Sequence, residues 1–583
     1  MSTKPLSIGT MFGRDQVAQH IAFTWDSYNR QRQEQIALWK ELRNYIFATD
    51  TTTTTNKSLP WKNSTTLPKL CQIRDNLHSN YVSALFPNDD WLKWESYSPS
   101  DGMAKKKKAI TAYMSNKTRM GGFRTEISKL LYDYIDYGNA FAYVDYESSS
   151  KIDDNGDRSP IYQGPKVYRI SPLDIVFNPL ASDFTKSFKI VRSVKTVADL
   201  VAMSQDNPGN KFLANALENR KKMLTGTSNM SMEDADKADG FMVDGFGDYF
   251  EYLRSGYVEL LTFYGDIYNE ATSELQRNRI ITVADRMWVI DNKAIPSWLG
   301  VAPIYHVGWR TRPDNLWSMG PLENLIGIQY RIDHLENLKA DAMDLAVLPP
   351  LVIKGDVEEF EYAPNAEIHI DENGDVTELA RGAQWVITAE NNIDKLEMRM
   401  EQYAGAPREA MGIRSAGEKT AFEIQQLQNA AGRIFQEKIT TFEIQLEEPV
   451  LNAMLEVARR QMDATDIVRV IDDDLGTEDF MTITKEDITA SGVLRPIGAR
   501  HFAAQAQLVQ NLTQLSNTPV WQQIGPHISS KNLAALVEDV LGLTRYQLFT
   551  PNVAVFEQQE TARLANQAGE DLQVEQSMDL PLQ

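Results

Sequence analysis

Apolar residues recur at helical spacing over several long stretches of the chain and at strand spacing over its middle third. The longest helical pattern runs from Gly412 to Arg460. It opens with a polar turn bracketed by glycines, Gly412-Ile413-Arg414-Ser415-Ala416-Gly417-Glu418-Lys419. Leu427, Ala431, Ile434, Phe435, Phe442, Leu446, Val450, Met454 and Ala458 follow on one helix face. Thr420 and Glu423 form the two halves of a capping box, and the helix they start would extend roughly 60 Å. Pro449 sits well inside it, removes a backbone donor and crowds the preceding turn, which predicts a kink.

The N-terminal part reads as helices over Gln16 to Phe47, Leu67 to Leu85, Met103 to Asn116 and Phe123 to Asp136. In the first, Ile21, Phe23, Trp25, Ile36, Leu38, Trp39, Leu42 and Ile46 are the apolar positions. Tyr137-Gly138 stops the last helix and turns the chain into a strand. Strands are expected over Val167 to Ile170, Asp174 to Phe177, Phe188 to Val194, Val258 to Tyr268, Ile280 to Val289 and Ile304 to Trp309. Short helices interrupt them at Thr196 to Met203 and Asn210 to Leu224, and Ser228 to Gly247 reads as a surface insertion. Pro321 to Val347 is helical again, with Leu322, Leu325, Ile328, Ile332, Leu335, Leu338, Met343 and Ala346 on its apolar side. An acidic piece, Leu351 to Ile387, reads as short strands about the turn dipeptide Asn373-Gly374, and Asn392 to Tyr403 returns as helix. Beyond the long helix, Ile467 to Ile471 and Met481 to Ile483 are expected as a short β stretch that rejoins the α+β unit, and Phe502 to Leu515 and Lys531 to Leu541 are helical. The fold class is α+β.

Charge and chemistry narrow the function. The formal charge of −21 over 583 residues disfavours tight binding to nucleic-acid phosphates, and Lys105 to Lys108 is the one dense basic run. Cys71 is the single cysteine, so no internal disulfide and no thiolate metal cluster is expected. There is no apolar run of bilayer-spanning length and no secretory signal at the start. The motifs G-x-S-x-G, H-E-x-x-H and C-x-x-C do not occur, and the seven histidines stand singly. Gly412 to Thr420 resembles a phosphate-cradling loop in outline, but Glu418 stands between the second glycine and Lys419, where it would repel phosphate. Asp371, Asn373 and Asp375 begin like a calcium loop, yet the glycine is misplaced. Asp472-Asp473-Asp474 reads as a solvated acidic turn. The residues thus point to an acidic assembly protein, with no enzyme activity, cofactor or metal expected.

Four strings, in order, go further: Leu85-Phe86-Pro87-Asn88-Asp89-Asp90-Trp91; Tyr137-Gly138-Asn139-Ala140-Phe141; Gly320-Pro321-Leu322-Glu323; and Gly417-Glu418-Lys419-Thr420-Ala421-Phe422-Glu423-Ile424. Together with the succession of elements from Gln16 to Leu515, they resemble the portal (head-to-tail connector) proteins of tailed bacteriophages of podovirus type. The resemblance implies a ring of about twelve copies closed by heterologous contacts. It sits in the virion, at one capsid vertex, after synthesis in the host cytoplasm. Residues 1–319 would form a wing, 320–348 a first stem helix, 349–389 a clip, and 390–404 a second stem helix. Residues 405–419 would lie near a tunnel loop, 420–515 would supply the kinked wing helix and a returning segment, and 516–583 a helical crown and tail. Arg414, Ser415, Glu418 and Lys419 are then candidates for the channel. Lys354, Glu358, Glu359, Asp371 and Asp375 are candidates for partner binding at the clip, and Pro449 for the helix kink. The implied partners are double-stranded DNA held weakly and without sequence preference, the terminase large subunit, tail or adaptor proteins, and major capsid and scaffolding proteins; no membrane is implied. The competing readings are an NTPase or nucleic-acid enzyme of a packaging machine, which would need an intact phosphate loop, and a capsid adaptor without a pore. The adaptor would not need the helix–clip–helix–loop–kinked-helix order.

Overall fold

The expected first helix is two helices, α1 (Gln16–Gln31) and α2 (Gln33–Ile46). They part at Arg32, which is 6% exposed and points its guanidinium at the carbonyls of Pro172 (2.7 Å) and Leu173 (2.6 Å). Satisfying a buried guanidinium there takes Arg32 out of helical geometry (φ −102°, ψ 10°). The computed structural model describes residues 6–8, 16–47, 63, 65–86, 91–97, 103–152, 158–224, 251, 254, 256–269, 273–347, 351–355, 375–378, 384–404, 434–462, 466–471 and 478–497. Within these the chain is a mixture of helix and sheet.

A short strand β1 (Leu6–Ile8) precedes α1, and α3 (Lys69–Leu85), β2 (Leu92–Ser96), α4 (Met103–Met120) and α5 (Phe123–Asp136) follow α2. Gly122, left-handed at φ +68°, starts α5. Gly138 (φ +67°) ends the turn after it, where a Cβ would stand 2.2 Å from the Gly320 nitrogen, so only glycine fits. The long hairpin β3 (Asn139–Ile152) and β4 (Arg158–Ile170) then leads through β5 (Ile175–Phe177) and β6 (Lys189–Thr196) to α6 (Val197–Asp206) and α7 (Lys211–Leu224). Thr196 and Asp199 cap α6 reciprocally. After them come β7 (Tyr257–Asn269), β8 (Glu274–Ala284), β9 (Trp288–Ala294), β10 (Ile304–Gly308), β11 (Arg310–Arg312) and β12 (Asn315–Met319).

The larger sheet has the order β5-β6-β7-β8-β9, and β1 adds in parallel to the end of β7 that β6 leaves free. The single strand expected over Ile280 to Val289 is in fact the hairpin β8–β9. Its turn residues, Asp285 (φ 50°) and Arg286 (φ 59°), are both left-handed, as a two-residue type I′ turn requires. Aspartate is a common turn residue, but arginine at positive φ is not. Both are fully buried, and ion pairs hold them: Arg286 grips Glu259 through Nε (2.7 Å) and Nη2 (3.0 Å) and reaches Asp26 of α1 through Nη1 (2.7 Å). Asp285 receives Arg220 of α7 at 2.5 Å. A smaller sheet orders β10-β3-β4.

The C-terminal half starts with α8 (Ile326–Val347), entered through a 3-10 turn at Glu323–Leu325. Strands β13 (Leu351–Lys354) and β14 (Asp375–Glu378) form an antiparallel pair, and α9 (Gln384–Tyr403) begins earlier than its expected start at Asn392. Residues 434–442 are helical, Glu443–Glu447 form a π turn, and α10 (Glu448–Gln461) continues the run. Pro449, where a kink is expected, directly follows this π turn and Glu448. The Glu448 N–H reaches back five residues to the Glu443 carbonyl, which opens the helix where the proline ring would otherwise meet the carbonyl four residues before it. Strands β15 (Asp466–Ile471) and β16 (Glu478–Ile483) pair with each other and lie beside α4, as the expected return to the α+β unit implies. The link back is β17 (Gly492–Pro496), antiparallel to β2. The expected insertion at Ser228 to Gly247 and the helices at Phe502 to Leu515 and Lys531 to Leu541 lie outside the described residues, as does Asp472-Asp473-Asp474.

Helix α1 packs Ala18, Ile21 and Trp25 on the larger sheet, against Ile190, Leu261, Phe263 and Val283. Phe23, expected on the apolar face, is 70% exposed instead. The largest core gathers Leu77 and Tyr81 of α3, Leu130 and Tyr134 of α5, and Phe442, Leu446, Val450 and Met454 of the long helical run. Tyr134 meets Phe442 edge to face at 5.2 Å and donates its hydroxyl to the Lys438 carbonyl. The run is thus a buried beam, although Ile434 at its described start is half exposed.

Candidate functional site

Helices α8 and α9 form the element on which the functional reading turns. They lie antiparallel: Lys339 in the middle of α8 pairs with Glu390 early in α9 at 3.1 Å, while the region of Asp333 is bridged to the late α9 residues Glu397 and Glu401. The bridge is Lys69, 6% exposed at the start of α3, 2.6 Å from Glu401 and 3.3 Å from Glu397. At the far end of α8 the chain passes into the β13–β14 pair, which returns it to α9.

The apolar side expected for this helix holds only at its start, where Leu322, Leu325 and Ile332 are buried; Met343 and Ala346 are exposed. The buried face along the rest is polar. Gln329, Asp333, Asn337 and Asp341, at four-residue spacing, are all at most 2% exposed. They hold a strap, residues 63 and 65–67, by its backbone. Leu67 donates its N–H to Asp333 (2.9 Å) and accepts from the Gln329 amide (2.7 Å). Thr65 donates to the Asn337 carbonyl oxygen (2.8 Å) and accepts from its amide (3.2 Å). Asn63 donates its N–H to Asp341 (2.9 Å) and its side-chain amide to Asp341 and Asp344. Burial raises the Asp333 carboxyl to about 6, against the lowering effect of the Leu67 and Gln329 bonds. The strap holds α8 along most of its length, from Gln329 to Asp344, and Lys69 ties the end of α9 beside it.

The outer surface of the pair carries large apolar residues. Tyr330 (42%), Met343 (48%) and Val347 (74%) of α8, and Ile387 (64%), Met398 (45%) and Tyr403 (64%) of α9, are exposed, as is Ile353 on β13. Of the clip candidates, Lys354 and Asp375 face each other across the β13–β14 pair, both exposed. Glu358, Glu359 and Asp371, and the channel candidates Arg414, Ser415, Glu418 and Lys419, lie outside the described residues. Pro449 lies two residues beyond the π turn.

Two of the strings that carry the resemblance meet in space. Asn139, fully buried, donates to the carbonyls of Tyr137 and Ser318 (both 2.8 Å) and accepts the Ser318 N–H (3.0 Å); Glu323 accepts from the Gly320 N–H (3.1 Å) and the Trp39 indole (3.2 Å). In the third string, Phe86 and Trp91 meet at 4.9 Å, and Trp91 stacks on Phe123. These contacts are structural: they seat α8 against α2 and β3.

Among the described residues, no group of three His, Cys, Asp or Glu side chains is placed to hold a metal. The half-buried His306, among Phe141, Phe177 and Phe184, has its pKa lowered to about 3 by desolvation and by Lys189, which fits a packed residue. No helix among the described residues is long and apolar enough to cross a membrane. No protein-family model matches the chain, and no curated protein does either.

The strap sites were missed because sequence periodicity looks for apolar spacing. The row Gln329-Asp333-Asn337-Asp341 is itself periodic and could have been found by asking which polar residues repeat every four.

Proposed function

We propose that the chain is a portal, or head-to-tail connector, protein of a short-tailed bacteriophage. It assembles as a ring of about twelve copies at one capsid vertex, and the ring is the channel through which double-stranded DNA is packaged and later ejected. The observation that carries this is the antiparallel pair α8–α9, held along α8 by the strap and at the end of α9 by Lys69, leading to a two-stranded tip, with exposed apolar residues on both helices. A helix pair that keeps six large apolar side chains in water gains most by packing side by side against copies of itself.

The charge supports the same reading. A chain of −21, repeated around a ring, lines a conduit that repels phosphate, so the duplex passes without the friction of tight contacts. Arg414 and Lys419 would centre the duplex at the constriction, with Ser415 and Glu418 beside them. The β13–β14 tip, with Lys354 and Asp375, would meet the terminase large subunit and afterwards a tail or adaptor protein. The portal would have no enzyme activity or cofactor of its own; ATP hydrolysis would belong to the separate motor. It would also nucleate the shell of major capsid and scaffolding proteins.

The test is to place charge on the exposed helix faces. Val347→Asp with Ile387→Asp changes two side chains that are 74% and 64% exposed, so the protomer should keep its melting temperature within about 2 °C. The expected result is loss of the ring in solution-mass measurements. Rings of unchanged stability in the double variant would refute the role given to this face.

A further inference from the structure

A cleft of about 460 Å³ lies between the C-terminal ends of α2 and α5, over the end of β4, away from the α8–α9 pair. Its volume is in the range of pockets that take a small ligand or a few side chains. The carboxylates along it are already engaged. Asp136 holds Arg74 through Nε (2.7 Å) and Nη2 (2.8 Å), Asp133 holds Arg169 (2.5 and 2.7 Å), and Asp174 holds Arg192 (2.9 and 2.7 Å). The Asp133 and Asp136 side chains are only 3% and 15% exposed.

Of the three carboxylates Asp174, at 37%, is the exposed one, and Arg43 and Lys129 are the most reachable cations. Arg43 is exposed and makes no ion pair among the described residues; Lys129 is 54% exposed and Arg169 33%. Lys129 has one carboxylate contact, with Glu126 at 2.5 Å. One wall is aromatic and stiff. The Arg74 guanidinium lies 4.1 Å from the Tyr132 ring centroid, His78 stacks on Tyr132 at 3.8 Å, and the half-exposed Phe47 stands 5.6 Å from Arg74. Because Asp133 and Asp136 fix Arg169 and Arg74 in place, little side-chain ordering remains when a ligand arrives.

We propose that this cleft is a docking site for an acidic peptide segment of a partner protein. Carboxylates of the segment meet Arg43, Lys129 and Arg169, and an aromatic side chain lies against Phe47 and the Arg74–Tyr132 stack. Charge complementarity selects this ligand. On a chain of −21, the cleft offers cations spread over α2, α5 and β4, which suits dispersed carboxylates. A single compact phosphate is disfavoured, because the exposed cations Arg43 and Lys129 stand on different helices. The inference does not rest on the portal reading.

The test uses the full chain and a fluorescent peptide, Glu-Glu-Phe-Glu-Glu-Phe, with a lysine-for-glutamate peptide and inorganic pyrophosphate as controls. The expected result is saturable binding of the glutamate peptide alone. Binding should weaken as salt rises and fall about fivefold to tenfold in the double variant Arg43→Ala, Lys129→Ala. Both side chains are exposed, and an unchanged melting curve will show that the variant is folded. Absence of saturable binding below millimolar peptide, or equal affinity in the double variant, overturns the proposal. Displacement of the peptide by pyrophosphate at lower concentration than by unlabelled peptide overturns the peptide class.

Discussion

Replacing Asn337 with alanine isolates the strap. Its amide makes two bonds to the backbone of Thr65, at 2.8 and 3.2 Å, and its side chain is 1% exposed. Thr65 itself is exposed, so its freed N–H and C=O can take water, and each lost bond costs its net value of about 1 kcal/mol and not the full desolvation penalty. The two together give about 2 kcal/mol, or roughly a thirtyfold rise in the local opening constant. Amide hydrogen exchange reads this directly. The Thr65 and Leu67 amides should exchange about thirtyfold faster in Asn337→Ala, while amides in the β6–β7 ladder keep their rates. If both amides exchange at wild-type rates in Asn337→Ala, the strap is not held by this row and the account of how α8 is seated is wrong.

Two further outcomes follow from buried charge. Arg286→Met leaves Glu259, fully buried, without the arginine that grips it, and should cost about 3–5 kcal/mol in urea unfolding; Arg286→Met with Glu259→Leu should recover most of that loss. Glu447, in the π turn, is fully buried, and neither carboxyl oxygen has a hydrogen-bond partner among the described residues. Burial, then the neighbouring Glu443, raises its pKa, so the fold favours the protonated form. Its contribution is therefore greatest below the ordinary carboxylate pKa and is lost as pH rises towards the raised value. Glu447→Gln should gain stability relative to wild type between pH 4 and pH 8, as followed by urea midpoints; a difference that does not change with pH would contradict the assignment.

Much of the element order was legible in the sequence because apolar spacing governs burial. The α5 range agrees to the residue, and Phe442, Leu446, Val450, Met454 and Ala458 are all buried on the long run. What spacing did not show is where polar groups decide the geometry. Arg32 breaks the first helix for the sake of two carbonyls. Asp285 alone is a weak turn signal beside Arg286, and distant Asp26, Arg220 and Glu259 hold the tight turn. The polar row on α8 was read as a helix with an apolar side, since the strap that satisfies it comes from more than 250 positions earlier in the chain. β17 was overlooked for a similar reason: Gly492–Pro496 is short and ends in proline, and it is a strand only because β2 pairs with it. The functional reading draws on strings such as Tyr137-Gly138-Asn139 and Gly320-Pro321, whose side chains serve packing. Their chemistry alone would name no activity.

Negative-stain electron microscopy of the purified full chain, with its mass in solution measured on the same sample, tests the central claim most directly. The account predicts end-on rings with a central hole, at a mass near a dozen chains of 66.0 kDa each. A compact oligomer without a channel would contradict it.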